Sequence, residues 1–440
     1  MNKADYPLFI LASLLIVISI VFSYSLSIYT VTIYDYNQFH FFLRQLIAGI
    51  ISIFIMWGFC FINPRKIVNT LGLSIFVIFL LILMIMPFLP AVLVTAAGGA
   101  NRWIRLPGIS ISPEEFFKIG FIYFLAWSFR RKVVEVAKKI PLKEEFKLLL
   151  PYFAAFMLVV FLIAFLQKDL GQVVLLGLIL IILLIFANRS FKIFLSLGLG
   201  AILGIIALIA VAPHRIERFY SWWSMVQGKI LSIAPAWAEQ YLKIQNLPEP
   251  YQVSNSLNAI HHGGFFGVGI ANGVLKLGFL SEVHTDFVLA GMAEEIGIVG
   301  LGIVIFILLA VVWRIFRISR RVQDATYHLF CLGIGLMIIL AFLINSYGIS
   351  GLIPIKGIAV PFLSYGGSAL ISVSISVGMV LSISKEIPVD LSREEYLYDD
   401  EENQKFIERF EEDFNEEGEE DEENDYYAPQ EYEDYRKDYK

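Results

Sequence analysis

Runs of about twenty apolar residues recur along nearly the whole chain, separated by short polar or basic stretches. A helix needs about 20 such residues to cross the hydrocarbon core of a bilayer. The runs predict spans near 7–29, 41–62, 70–90, 114–130, 148–166, 170–187, 193–212, 287–313, 326–346 and 366–384. Leu73 to Leu89 is apolar without alternation, which argues against the strand pattern of a transmembrane barrel. The predicted fold class is therefore all-α, a polytopic membrane protein of about ten transmembrane helices. Composition agrees: 57% of the 440 residues are hydrophobic, against about 45–50% in soluble domains. The first run is longer than a signal-peptide core and no small-residue cleavage site follows, so it reads as the first span. No internal repeat is evident, and no pair of interrupted helices of the transporter kind.

Charge changes the picture in two ways. Basic clusters fall at Arg65-Lys66, from Arg130 to Lys147, at Arg189 and Lys192, and from Arg314 to Arg321. Lysine and arginine mark cytoplasmic loops. With ten spans, these clusters share one side only if both termini are cytoplasmic. The net charge of −6 also hides a division. Residues 390–440 hold 23 acidic and 6 basic residues, a net −17, and few aliphatics. The expectation is a membrane domain over 1–389 and an acidic, disordered cytoplasmic tail over 390–440. The tail reads as a solubilising extension or as a docking segment for a basic partner. Cys60 and Cys331 lie inside apolar runs and read as small hydrophobes.

This topology leaves outside the loop 91–113, the turn 167–169, the long extracytoplasmic loop 213–286 and the loop 347–365. Trp222, Trp223, Trp237 and Tyr241 lead us to expect a surface-lying amphipathic helix in the long loop. Four outer segments hold candidate chemistry. The first runs from Gly98-Gly99 through Arg102-Trp103-Ile104 to Pro113-Glu114-Glu115-Phe116-Phe117-Lys118. Pro113 and the acids suit a helix start, and Glu115 can pair with Lys118 one turn on. The second is Gln167-Lys168-Asp169-Leu170-Gly171, a turn whose carboxylate sits at the mouth of the bundle. The third joins His261-His262-Gly263-Gly264, Lys276 and His284-Thr285-Asp286-Phe287 to Glu294-Glu295. Acids inside an apolar run are costly, so Glu294 and Glu295 read either as a buried pair joining helices or as functional groups. Asp286 stands where an aqueous loop enters the membrane, and function is favoured there. The fourth runs from Gly348 through Pro354-Ile355-Lys356-Gly357 to Ser364-Tyr365-Gly366-Gly367-Ser368, and predicts irregular backbone lining a cavity. The histidines and carboxylates match no zinc spacing. No cofactor is required by these motifs, though a loosely held divalent cation would suit a pyrophosphate substrate.

In their shared order over residues 7–385, these motifs resemble the SEDS family of shape, elongation, division and sporulation proteins. Pro354-Ile355-Lys356-Gly357 is similar to the division branch rather than the elongation branch. Lys168, Gln172, Glu114 and Ala369 depart from the usual pattern, as does the acidic tail. The resemblance implies a peptidoglycan glycosyltransferase of the bacterial inner membrane, acting at the division septum. Its substrate would be lipid II, a disaccharide-pentapeptide on undecaprenyl pyrophosphate. Its partners would be a class B penicillin-binding protein, which is a transpeptidase, other divisome proteins and membrane lipid, with no nucleic acid. The family's catalytic aspartate maps onto Asp286. Arg102, Lys118, Lys276 and Lys356 become candidates to hold the pyrophosphate, with Glu115 and Asp169 orienting them. Gln167, His284, Glu294, Glu295, Ser364 and Ser368 complete the expected substrate-binding set. The competing readings are an elongation-type polymerase, a lipid II flippase using the carboxylates as a relay, and a scaffold that only recruits the transpeptidase.

Overall fold

Ten long helices coincide with the ten predicted spans in the computed structural model. It describes residues 3–387 apart from 91, 98–99, 107–108, 135–141, 188–190, 233–234, 236–241, 245–249 and 356. The expectations for Gly98, Gly99, Arg189, Trp237, Tyr241, Lys356 and the tail 390–440 lie outside the described residues. The helices are α1 (Tyr6–Leu26), the short α2 (Ile28–Ile33), α3 (His40–Phe59), α4 (Pro64–Ile85), α5 (Pro113–Phe129), α6 (Leu142–Val160), α7 (Leu170–Phe186) and α8 (Phe191–Ala210). They continue with α9 (Pro213–Leu231), α10 (Tyr251–Gly263), α11 (Val288–Arg321), α12 (Ala325–Ile349) and α13 (Gly367–Ile383). Among the described residues, seven helices are long and apolar enough to cross a membrane unaided. The apolar α7 is shorter, and α8 meets α9 at a bend of 107°. The helix expected in the long loop is α9, with Phe219, Trp222 and Trp223 clustered along it.

The central helix is α5, buried along nearly its whole length. Small residues let α4 approach it closely. A Cβ on Gly72 would meet the Tyr123 ring, and one on Gly120 the backbone of Phe76. The apolar core gathers Phe117, Ile122, Leu176, Ile179, Phe330 and Val377. Large apolar side chains such as Phe54, Leu203 and Phe306 stay exposed, as on a surface solvated by lipid.

One end of the bundle is tied by ion pairs between helix termini: Arg65 with Glu386 at 2.7 Å, Arg130 with Asp324 at 2.5 Å and Arg314 with Asp5 at 2.6 Å. Three of the four predicted basic clusters supply these pairs, and both ends of the helical body reach the same face. The opposite end differs from expectation in two places. The loop 91–113 carries a small antiparallel sheet, in the order β1 (Val94–Ala97), β2 (Ala100–Leu106) and β3 (Ile109–Ile111). Val94 is opposite Ile104, and Ile104 opposite Ile111. These β-branched residues favour strands in a segment too short to register as a span.

The second difference is in α11, which is broken at Gly297 (φ 71°). The regular helix bonds from 298 to 294 and from 299 to 295 are missing there. Loop 264–269 supplies replacements: Ile298 and Val299 donate to the carbonyls of Gly264 and Phe265, at 3.0 and 3.1 Å. The freed carbonyls of Glu294 and Glu295 accept from Val268 and Gly269, at 3.0 and 2.9 Å. Residues 298–321 alone span about 36 Å at the α-helical rise, more than the hydrocarbon core. The preceding turns, 288–296, form a short arm before the kink, with Gly291 packed on Val283 and on Leu26 at the end of α1. Glu294 and Glu295 therefore sit on this arm, just before the break at Gly297.

A Cβ at Gly297 would lie 2.3 Å from the Phe265 carbonyl, in a left-handed conformation. We expect Gly297→Ala to cost about 1–3 kcal/mol, seen as a lower melting temperature in detergent. Gly302→Ala, with open space around it, should be neutral or slightly stabilising.

Candidate active site

Chain folding at the outer end of the bundle brings three separate segments against Asp286. The backbone N–H groups of Asp286 and Phe287 both donate to the Glu282 carbonyl, closing a turn just before the arm. Asn345, near the end of α12, donates from Nδ2 to the Asp286 carbonyl at 2.7 Å and to that of Ile358 at 2.8 Å. One amide thus fastens the aspartate loop to the loop 350–366. Gly357 (φ 61°) passes so close that a Cβ there would meet Asp286 Oδ2 at 2.8 Å. A small recess of about 10 Å³ opens at this point, lined by Asp286, Asn345, Gly348, Gly357 and isoleucines.

Burial raises the Asp286 carboxyl to about 6, opposed by the attraction of Arg102 and reinforced by the repulsion of Glu282 and Asp169, with Arg218 also attracting. The group is thus poised between protonation states near neutral pH. His284, two residues earlier, is buried and its pKa is pushed down to about 4 by desolvation. It is a neutral ring at neutral pH, packed edge-on against Phe41 at 5.1 Å and tilted against Tyr365 at 5.6 Å.

The first and second predicted segments meet beside this loop. Strand alternation turns Arg102 and Trp103 to opposite faces of β2. Arg102 Nε lies 3.1 Å from Asp169 Oδ2, and the Asp169 side chain is 1% exposed. Asp169 also caps α7 by accepting from Gln172 N. Lys118 pairs with Glu115 at 2.8 Å, one turn apart as expected, and Gln172 Nε2 donates to the same carboxylate. Gln167 is buried next to Met86. The serines of the fourth segment act as pins. Ser364 accepts from Val360 N and donates to the Thr285 carbonyl at 2.7 Å. Ser368 accepts from Ser112 N and donates to the Ser110 carbonyl.

Three other predicted residues gather around the arm instead. Glu294 Oε1 accepts from Val274 N and Leu275 N, and lies 2.9 Å from His262 Nδ1. Glu295 Oε1 accepts from Lys276 Nζ at 2.6 Å and from Ser25 Oγ at 2.5 Å. Lys276 is 1% exposed. In this arrangement the two acids and Lys276 hold the loop to α1 and α11, the buried-pair alternative, and Lys276 presents no free charge to a substrate. Sequence reasoning missed Asn345 and Arg218, and named Gly357 only as part of an irregular loop lining a cavity. Only the exposed Arg218, one turn inside an amphipathic helix that starts with proline, offered a signal. Among the described residues, no three His, Cys, Asp or Glu side chains come together as a metal cage.

The model of the family described as "Cell cycle protein", covering FtsW, RodA and SpoVE, matches residues 6–388. The chain belongs to this family. Similarity to individual FtsW/RodA/SpoVE members is extensive. It is 45% identical to the probable peptidoglycan glycosyltransferase FtsW of Helicobacter pylori strain 26695, over 87% of this chain and 98% of that protein. It is 34% identical to the protein of the same name from Bacillus subtilis strain 168, over 87% and 91%. Two solved structures share the fold. One is an aspartate-to-alanine mutant of the rod shape determining protein RodA from Thermus thermophilus, with TM-score 0.60, 19% identity, and 89% and 100% covered. The other is a chain from a peptidoglycan synthase complex studied for the coordination of polymerization and crosslinking, with TM-score 0.63, 20% identity, and 89% and 100% covered. The family assignment agrees with the SEDS resemblance carried by the motifs, and the fold is the family's.

Within this family member, the Arg102–Asp169 pair offers a direct test of how the site is held. Arg102→Met leaves a buried carboxylate without its cation and should cost about 3 kcal/mol. Arg102→Met combined with Asp169→Asn should cost less than the two single changes added together, as measured by thermal unfolding.

Proposed function

We propose that this protein is a peptidoglycan glycosyltransferase of the division type, polymerising lipid II at the outer face of the bacterial inner membrane. The observation that carries the reading is Asp286. It is a carboxylate raised in pKa by burial, at the outer end of a membrane bundle beside a small recess, with Arg102 and Arg218 in electrostatic reach. The names of the similar FtsW proteins support the same activity.

In this reading the 4-hydroxyl of the acceptor GlcNAc attacks the anomeric carbon of the donor MurNAc. Its proton passes to the Asp286 carboxylate, which acts as base. The bond to the donor's pyrophosphate breaks, undecaprenyl pyrophosphate leaves, and the α-linked donor gives a β-linked product. A carboxyl held near 6 suits a base at neutral pH. Arg102 and Arg218 put positive charge where the leaving group gains negative charge, and Lys356 joins them in this proposal. A divalent cation of the magnesium kind, if used, would ride on the donor's pyrophosphate oxygens and neutralise charge on the leaving group, leaving Asp286 free to take the proton. The class B penicillin-binding protein, the other divisome proteins and the septal location belong to the same proposal.

A flippase would need polar groups through the depth of the bundle. Here the ionisable candidates collect at the outer end, above a core of Phe117, Ile122, Ile179, Phe330 and Val377. That distribution favours an enzyme acting on substrate already outside.

The test is polymerisation of labelled lipid II by the protein purified with its class B partner, read as a glycan ladder on a gel. Wild type should give the ladder, and Asp286→Ala and Asp286→Asn should lose about 100-fold or more in rate. No ladder, with lipid II crossing proteoliposome membranes instead, would favour the flippase. Activity should also rise with pH through about 6 as Asp286 loses its proton. A profile flat between pH 5 and 7 would remove Asp286 as the base.

A further inference from the structure

A continuous path of rings leads away from the catalytic loop along the outer end of α3. His284, two residues before Asp286, packs on Phe41 and Tyr365. Phe41 touches Tyr36 at 6.0 Å, Tyr36 stacks on His40 at 4.4 Å with planes 8° apart, and Tyr34 stacks on Tyr36 at 5.9 Å. The inner end of the path is buried, whereas Tyr34 and Tyr36 are 65% and 45% exposed. Polar groups run beside the rings. Arg44 is exposed and donates to the Tyr365 hydroxyl, and Gln38 donates to the Tyr24 hydroxyl. The buried Nδ1 of His284 has no hydrogen-bond partner among the described residues. The reading of Asp286 given above uses none of these groups except the loop that bears His284.

Headgroup-anchoring aromatics are ordinarily spread around a bundle as a belt. Here they stack into one line that starts at the reaction centre. Flat rings carry negative π-faces, and pyranose rings present the partly positive C–H groups that pack on such faces. A histidine nitrogen, an amide and an arginine supply what sugar hydroxyls, N-acetyl groups and peptide carboxylates require.

We propose that the path from His284 through Phe41 and Tyr36 to Tyr34 is a binding groove for the β-linked amino-sugar strand, holding the chain as it grows away from Asp286. This rests on the polymerase reading and adds a site to it. The groove keeps one end of the polymer at the catalytic loop between successive additions, so it governs strand length rather than the bond-forming step. Arg44 faces the carboxylates of the stem peptides.

The experiment has two arms. In the first, soluble GlcNAc–MurNAc oligosaccharides released by a muramidase are titrated into the Asp286→Asn protein in lipid nanodiscs, so that no turnover intervenes. Affinity should fall roughly three- to tenfold on adding Tyr36→Ala, and less on adding Tyr36→Phe, which keeps the ring. In the second, the otherwise wild-type complex carrying Tyr36→Ala or Tyr34→Ala should make shorter strands from lipid II at an unchanged initial rate. Unchanged oligosaccharide affinity would overturn the groove, and so would unchanged strand length in an active complex. A lower melting temperature for Tyr36→Ala with unaltered affinity would make the rings a headgroup anchor instead. If the wild-type complex makes no polymer, the polymerase reading fails. The binding arm still decides whether the rings hold sugar.

Discussion

The outer end of this protein depends on how backbone hydrogen bonds are met where α11 breaks. An unpaired peptide group costs several kcal/mol away from water. At Gly297 two N–H groups and two carbonyls lose their helical partners, and loop 264–269 replaces all four. The exchange needs backbone against backbone. A side chain on Gly263, Gly267 or Gly297 would collide with a carbonyl in each case. The break turns the arm 288–296 away from the line of the span, and the arm brings Asp286 under Asn345 and against Gly357. The position of Asp286 thus depends on glycines on both sides of it in the chain, Gly263 and Gly267 before it and Gly297 after it.

Charge at the outer end is arranged in two tiers. The pairs Arg102–Asp169, Lys118–Glu115 and Lys276–Glu295 are matched one to one, and the members of low exposure satisfy each other. Asp286 has no ion-pair partner in contact among the described residues, and burial raises its pKa to about 6. The paired acids hold structure. A carboxyl raised to about 6 can exchange a proton near neutral pH, which is what a base must do.

Much of this was legible in the sequence, for reasons that differ by element. The helices were readable because twenty-residue apolar runs have few other uses. The Glu115–Lys118 contact was readable because one turn of helix fixes it. The start of α5 at Pro113 and the aromatic α9 followed from local chemistry in the same way. The sheet in 94–111 was not legible, because strands of three to seven residues in a glycine-rich loop give no sustained period. Pairs such as Lys276–Glu295 and Arg102–Asp169 join distant segments, and no spacing rule predicts which cation meets which acid. Asn345 was invisible for the same reason, since it looks like an ordinary helix residue until the chain is folded. The segment holding Gly357 was legible as irregular backbone, but its contact with Asp286 was not.

The pins of the site also have a temporal meaning. Ser19 and Gln45 bond each other, and with them Leu363 and Gly366; Ser25 reaches Glu295; Ser112 reaches Ser368. Residues synthesised early in translation therefore wait for partners made after most of the chain has entered the membrane. A nascent chain that has threaded α1 to α11 still lacks Asn345 and the segment 357–368, so the loop bearing Asp286 gains its long-range partners only with the last two spans.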